Sequence, residues 1–147
     1  MRPFRACLTM MVMISALCSV SFAEEGGSSD SLVVIGRLVE IPGTFAPNDL
    51  YNYVYVMKYR VMKVETGSYE GKEILVGHYN PLIARKNISD KMAAVVGGDV
   101  EKFEEGDKHK LVLVTPIGSV WQEALEDEYF DVDPSEKYFA VIAEQAE

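Results

Sequence analysis

The stretch "YNYVYVMKYRVMKVETGSYEGKEILVGHYN", residues 51–80, decides the fold, because it has the pattern of two β-strands joined by a short glycine turn. In residues 51–65, the odd positions up to 61 are all apolar or aromatic, whereas the even positions include Asn52, Lys58 and Arg60. This alternation is typical of a strand that buries one face. The stretch therefore predicts a hairpin with an apolar, tyrosine-rich side.

Three tyrosines on the apolar face, Tyr53, Tyr55 and Tyr59, are the most distinctive feature of this strand. They could stack on a planar ligand, but their alternation with basic residues favours a place in the core, with the hydroxyls bonded near the ends of the sheet. After position 61 the apolar pattern shifts by one residue. That shift predicts a β-bulge.

Three further segments complete the predicted set of strands: residues 32–41, 109–117 and 137–145. With the hairpin they give five strands. The order of strands and connections predicts a mostly β (α+β) fold, a five-stranded OB-like Greek-key barrel. In that fold the fifth strand lies between the third and the fourth. A β-sandwich or another α+β sheet is the main alternative.

Two segments between the strands are predicted to be helical. Residues 90–96, "DKMAAVV", lie between strands 3 and 4 and have a short apolar stripe. Residues 120–130, "VWQEALEDEYF", lie between strands 4 and 5, and Ser119 and Gln122 have the spacing of a capping box. We therefore expect one helix between strands 3 and 4 and a helical insertion between strands 4 and 5.

Two stretches resemble the OB-like barrel of the netrin and TIMP family. They are "VMKYRVMKVETGSYEGKEILVGHY", residues 56–79, and "FEEGDKHKLVLV", residues 103–114. In that family a long second strand meets a glycine turn, and a phenylalanine with a following Gly-Asp precedes strand 4. The resemblance extends over residues 33–116 and implies the barrel alone. The family's cysteines are missing, which makes an inhibitor-like role the weakest functional alternative.

The first residues are typical of a secretory signal peptide. Arg2 and Arg5 precede an apolar run, and Ser21 and Ala23 provide small residues at the −3 and −1 positions of a cleavage site. The following "EEGGSSD" is polar and rich in glycine and serine, as in a flexible tether. The predicted organisation is a signal peptide at 1–23, a flexible leader at 24–30 and a single domain at 31–147.

The positions of the cysteines and the net charge limit the expected cellular location and the expected class of binding partner. Cys7 and Cys18 both lie in the predicted signal peptide, so the predicted domain has no thiol for disulfides or metal binding. An exported domain without disulfides favours a bacterial periplasm or cell surface. The net charge of −9 repels phosphate backbones, so nucleic acid is not an expected partner. No later apolar run is long enough to predict an integral membrane segment.

The two histidines, His78 and His109, are predicted to lie at one rim of the barrel, where strand 3 ends and strand 4 begins. With Tyr79 and Asn80 they form the candidate site of a metal-dependent or histidine-based enzyme. Zinc needs three or four protein ligands, and no metal-ligand spacing is present, so no metal site is predicted. The favoured alternative is a hydrogen-bonded His78 at the strand end and a solvated His109.

The expected binding surface follows from where OB barrels hold their ligands. Those ligands lie across strands 2 and 3, between the loop after strand 1 and the loop after strand 4. Here these loops are residues 42–50 and 117–136. An aromatic and basic groove there suits an anionic glycan or a peptide, although Trp121 could equally anchor the insertion. The candidate ligand-binding residues are Phe45, Lys58, Arg60, Trp121 and Tyr129.

No nucleotide-binding, phosphate-binding or nucleophile motif is present, so the sequence predicts no catalytic residue and no cofactor. We expect an exported, non-catalytic binding or accessory module for a polysaccharide or protein partner outside the cytoplasm. The alternative is the enzyme with its site at the His78 and His109 rim.

Overall fold

The computed structural model describes residues 31–147, so the predicted signal peptide and leader lie outside the described residues. The described part is mostly β, and its only helices are short 3₁₀ turns. None of them has the length and apolar character needed to cross a membrane. The strands are β1 (Leu32–Glu40), β2 (Val54–Thr66), β3 (Glu73–Tyr79), β4 (Gly97–Gly98), β5 (Lys108–Val114), β6 (Leu125–Glu126) and β7 (Lys137–Gln145).

The five long strands, β1, β2, β3, β5 and β7, form a closed ring. β1 pairs antiparallel with both β2 and β5, and β7 pairs antiparallel with β5 and parallel with β3. The antiparallel hairpin of β2 and β3 completes the ring. The fifth long strand therefore lies between the third and the fourth, as predicted. The two short strands are additions, β4 on β7 and β6 on β2.

Strand β2 is buried on both faces in its first half. Tyr53, Tyr55 and Tyr59 are buried in the cluster inside the ring, which confirms that the tyrosine face belongs to the core. Val54 and Val56, on the opposite face, are also fully buried, but in a second apolar cluster. This second burial was not predicted, because it depends on distant segments that fold over the outer side of the strand.

A β-bulge interrupts the pairing of β1 with β2. Ile35 pairs with Lys63 and Gly36 with Val61, so Met62 is left without a partner in the register. The bulge lies where the apolar pattern of the sequence shifts by one residue, as predicted. Because a bulge bends its strand and increases the twist, it helps β2 to pair with both neighbours in a closed ring.

The predicted helix between strands 3 and 4 is wrong in type. Residues 90–96 contain a 3₁₀ turn, Lys91–Ala94, and Asp90 caps it by accepting a hydrogen bond from the Met92 N–H at 2.8 Å. The chain enters β4 at Gly97 directly afterwards. The segment is thus too short for a stable α-helix, whose nucleation cost is recovered only over several turns.

The predicted helix at residues 120–130 is also wrong. This segment instead runs along the start of β2 and contributes β6 to the sheet. The Ala124 carbonyl oxygen accepts hydrogen bonds from the Val54 N–H at 3.0 Å and from the Trp121 indole N–H at 2.8 Å. The polar backbone groups of the segment are therefore satisfied partly by the barrel, and an α-helix is not needed to pair them.

The predicted capping box does not form either. Ser119 ends a 3₁₀ turn, Ile117–Ser119, and its hydroxyl donates to the Pro116 carbonyl oxygen at 2.7 Å. The Gln122 side-chain amide donates to the Gly118 carbonyl oxygen at 3.2 Å. Both side chains thus stabilise a tight turn, a use that the spacing of serine and glutamine does not distinguish from a helix start.

Candidate functional site

The two histidines meet inside the ring, on either side of Tyr59. Both imidazoles are fully buried, and the Tyr59 hydroxyl lies 2.9 Å from His78 Nε2 and 3.0 Å from His109 Nδ1. Phe103 covers them, with ring centres 4.3 Å from His78 and 5.6 Å from His109. The sequence correctly placed the two histidines near each other, but the expectation that His109 is solvated is wrong.

One hydroxyl cannot satisfy both imidazoles completely. Tyr59 has one proton to donate, so it donates to one ring and accepts the N–H of the other. The remaining ring nitrogens, His78 Nδ1 and His109 Nε2, have no hydrogen-bond partner among residues 31–147. Each ring therefore retains one polar atom that the described protein leaves unpaired.

A buried arginine lies beside the histidines. Arg85 is only 2% exposed, and its Nη2 donates to the carbonyl oxygens of Tyr79, Asn80 and Ile83 at 2.6, 2.8 and 2.9 Å. Its guanidinium carbon lies 5.2 Å from the centre of the Phe103 ring. Sequence reasoning missed it, because a single arginine in a connection has no recognisable pattern. We call these five residues the interior cluster: Tyr59, His78, Arg85, Phe103 and His109.

Burial keeps both imidazoles neutral. It lowers the pKa of His78 well below the usual value, and the nearby Arg85 guanidinium and His109 imidazole lower it further. Burial also lowers the pKa of His109, against an opposing effect of Asp107 and Asp99. The histidines therefore enter the folded protein without charge at neutral pH.

The interior cluster is a positively charged site. Burial raises the pKa of Tyr59 well above its usual range and lowers the pKa of Arg85 to about 10, so at neutral pH only the guanidinium is charged. Within residues 31–147, no group of three or more histidine, cysteine or acidic residues is arranged to hold a metal ion. Phe103, which packs against both imidazoles, is itself only 6% exposed. Chemistry at these fully buried histidines therefore requires a movement of the residues that cover them.

The buried histidines predict a loss of stability in mild acid. Their folded-state pKa values lie below the unfolded value of about 6.5, so the unfolded chain binds more protons below that pH. The histidines contribute fully to the free energy of unfolding above about pH 6.5. Below that pH, this contribution decreases by up to about 1.4 kcal/mol per pH unit for each histidine. Urea unfolding at pH 7.5, 6.5 and 5.5 measures this effect, and equal stability at all three would contradict it.

Two of the predicted ligand-binding residues, Lys58 and Tyr129, lie together on the outside of the ring. The Lys58 ammonium is 5.1 Å from the centre of the Tyr129 ring and 3.7 Å from a carboxylate oxygen of Glu73. Arg60, two residues further along β2, is exposed. The charge of Lys58 is thus already partly compensated, and Arg60 is the freer of the two basic groups.

The other two predicted residues line different cavities. Trp121 is 5% exposed and packs edge-on against Tyr79, at 5.1 Å between ring centres. It also lines an open cleft of about 410 Å³ together with Gln122 and Glu123. Phe45 packs edge-on against Tyr55 at 4.9 Å and lines a separate cavity of about 200 Å³. Trp121 therefore anchors its segment on the barrel, and part of its side chain lines the 410 Å³ cleft.

The second predicted loop contacts the residues on either side of the first. The Tyr51 hydroxyl, directly after the first loop, donates to Glu126 at 2.9 Å. The Tyr129 hydroxyl, in the second loop, donates to Glu40 at 2.5 Å. The pairing of β6 with the start of β2 adds a third connection. Both loops therefore belong to one end of the ring.

These loops carry the most exposed large apolar side chains of the described residues. Leu50, Phe130 and Val132 are 79%, 75% and 75% exposed. Sequence reasoning did not single them out, because exposure of an apolar residue in a loop is decided by what packs around it. We call the five exposed apolar residues of the two loops the apolar loop surface: Leu50, Tyr51, Leu125, Phe130 and Val132.

The chain matches no family model, and no curated protein and no solved structure is similar enough to match it.

Proposed function

We propose that the protein is an exported, non-catalytic binding module, periplasmic or extracellular, whose contact surface is the apolar loop surface. The observation that carries the proposal is that Leu50, Phe130 and Val132, the most exposed large apolar side chains, all lie on the two connected loops. Large apolar side chains exposed on neighbouring loops are unfavourable in water and support an interaction site there.

We also propose that the ring is a five-stranded OB-like barrel of the netrin and TIMP style. The pairing order of the long strands and the parallel pairing of β3 with β7 support this assignment. On the outer face of strands 2 and 3, Val54, Val56 and Leu75 are buried in the cluster that includes Trp121 and Tyr129. The chain's own residues thus cover part of the face that OB barrels use for ligands. The apolar loop surface is left free for contact.

The proposed partner is a protein outside the cytoplasm. Leucine, valine and phenylalanine side chains bind chiefly by removing apolar area from water, and they offer no hydrogen bonds to a sugar. A glycan is the second candidate, because the cleft beside Trp121 presents the Gln122 amide and the Glu123 carboxylate next to an aromatic edge. The two candidates use different residues, so variants distinguish them.

Removal of the exposed apolar side chains is expected to weaken partner binding without unfolding the protein. The triple variant Leu50→Ser, Phe130→Ser, Val132→Ser should lose at least about tenfold in affinity, since each removed anchor contributes roughly 1 kcal/mol or more. Its matched control replaces exposed apolar residues elsewhere, Met62→Ser with Val95→Ser. Binding to an envelope-protein extract, followed by titration of the captured protein, measures the difference.

The competing outcomes are distinct. Equal loss in the triple variant and its control would contradict the assigned surface. Binding to a glycan array that Gln122→Ala with Glu123→Ala removes, while the triple variant retains it, would favour the cleft and the glycan. Export is tested separately by the intact mass of the secreted product, which should correspond to cleavage after Ala23.

A further inference from the structure

The interior cluster contains more hydrogen-bond donors than the described protein uses. Arg85 makes all its hydrogen bonds through Nη2, and its Nε and Nη1 have no partner among residues 31–147. No carboxylate within that range pairs with the guanidinium. Burying a cation without a counter-charge costs free energy, because the charge loses its hydration. A negatively charged partner would offset that cost.

The two histidine rings and the arginine pack near the same aromatic ring. His78 Nδ1 and His109 Nε2 lack partners, and both rings, like the guanidinium, contact Phe103. Arginine donates only, and of the two neutral imidazoles that share the Tyr59 hydroxyl, one has an unpaired N–H and the other an unpaired lone pair. The guanidinium N–H groups and the imidazole N–H therefore favour a ligand that accepts hydrogen bonds and carries negative charge.

A cavity of mixed character is lined in part by Phe103. Its volume is about 200 Å³, and Phe45, Pro81 and Leu82 line it together with the charged residues Glu101, Lys102 and Glu104. Phe103 therefore contacts both this cavity and the positive interior cluster. The carboxylate of Glu101, which also lines the cavity, is paired with Lys86 at 2.8 Å, so part of the negative charge at the mouth is compensated.

We propose that the interior cluster and this cavity together form a binding site for a small organic carboxylate. The carboxylate lies against Arg85, His78 and His109, and the short apolar body of the ligand lies in the cavity beside Phe45 and Leu82. Phe103 turns aside to admit the ligand. Its segment, residues 99–104, follows β4 without regular secondary structure, which permits such a side-chain movement.

Sodium butyrate tests the proposal on the intact protein, with butyramide as the neutral ligand of the same shape and sodium chloride at equal ionic strength. We expect butyrate alone to raise the thermal midpoint and to shift the imidazole resonances of His78 and His109 in NMR spectra. A response shared by butyramide or chloride, or NMR shifts confined to exposed residues, would overturn the site. This measurement needs no variant, so it does not depend on the folding of a mutant.

Two variants then assign the donors. Arg85→Lys keeps the positive charge but removes the planar donors, and we expect it to weaken butyrate binding by at least about tenfold. Lys63→Gln is the control, because it removes an exposed charge from a residue that neither lines the cavity nor belongs to the interior cluster, and it should bind butyrate as the wild type does. Equal weakening in both variants would show a general charge effect and contradict the proposal.

Discussion

Gly98→Ala is expected to lower the free energy of unfolding by about 3–5 kcal/mol, which is the sum of a strained backbone and a steric overlap. Gly98 has a φ of +118°, which residues with a side chain rarely adopt, and an added Cβ would lie 2.0 Å from the Ala143 carbonyl oxygen. That oxygen accepts hydrogen bonds from the N–H groups of Asp99 and Val100, at 3.1 and 3.3 Å. The substitution therefore breaks the pairing of β4 with β7.

The neighbouring glycine provides a matched control in the same strand. An added Cβ at Gly97 meets nothing within 4 Å, so Gly97→Ala should change the free energy of unfolding by less than about 0.5 kcal/mol. Urea titrations of the two variants and the wild type measure both values. Similar values for the two alanine variants would show that the approach of Gly98 to Ala143 is not a constraint. Because β4 leads directly into the segment of Phe103, Gly98→Ala should also expose the interior cluster.

Tyr59→Phe is expected to cost about 2–4 kcal/mol, because two buried imidazoles lose a hydrogen-bond partner at once. The Tyr59 hydroxyl contacts His78 and His109 at 2.9 and 3.0 Å, and neither ring nitrogen has solvent within reach, since both residues are fully buried. Phenylalanine retains the ring packing, so the loss is chiefly that of the polar pairing. Chemical denaturation at pH 7.5, where both histidines are neutral, measures it.

Tyr53→Phe is the matched control for that experiment. Tyr53 lies directly before β2 and in the same core cluster, but its hydroxyl donates a single hydrogen bond, to the Ala46 carbonyl oxygen at 2.6 Å. Its loss should cost only about 1 kcal/mol, the ordinary value for one hydrogen bond. Equal costs for the two variants would contradict the view that Tyr59 holds both histidines, and unchanged imidazole resonances in Tyr59→Phe would do the same.

Local patterns in the sequence predicted most of the strands of the fold. Alternation along residues 51–65 predicted both the strand and the burial of Tyr53, Tyr55 and Tyr59, because side chains on one face of a strand share one environment. The shift of that pattern predicted the bulge opposite Gly36. The two predicted helices were wrong because an apolar spacing of three or four residues is not specific to helices. Such a spacing also arises where a chain without helical structure contacts a barrel at intervals, as it does at Trp121 and Tyr129.

The sequence by itself determined the five strands, the inward face of the tyrosines and the closeness of the two histidines, since each follows from alternation and strand order. Only the tertiary structure decided that His109 is buried, that Arg85 is buried without a carboxylate partner among the described residues and that Leu50, Phe130 and Val132 remain exposed. These properties depend on contacts between residues far apart in the chain. The burial and hydrogen bonding of a single polar side chain are set by whichever distant segments enclose it, and no periodic pattern in its own segment records them.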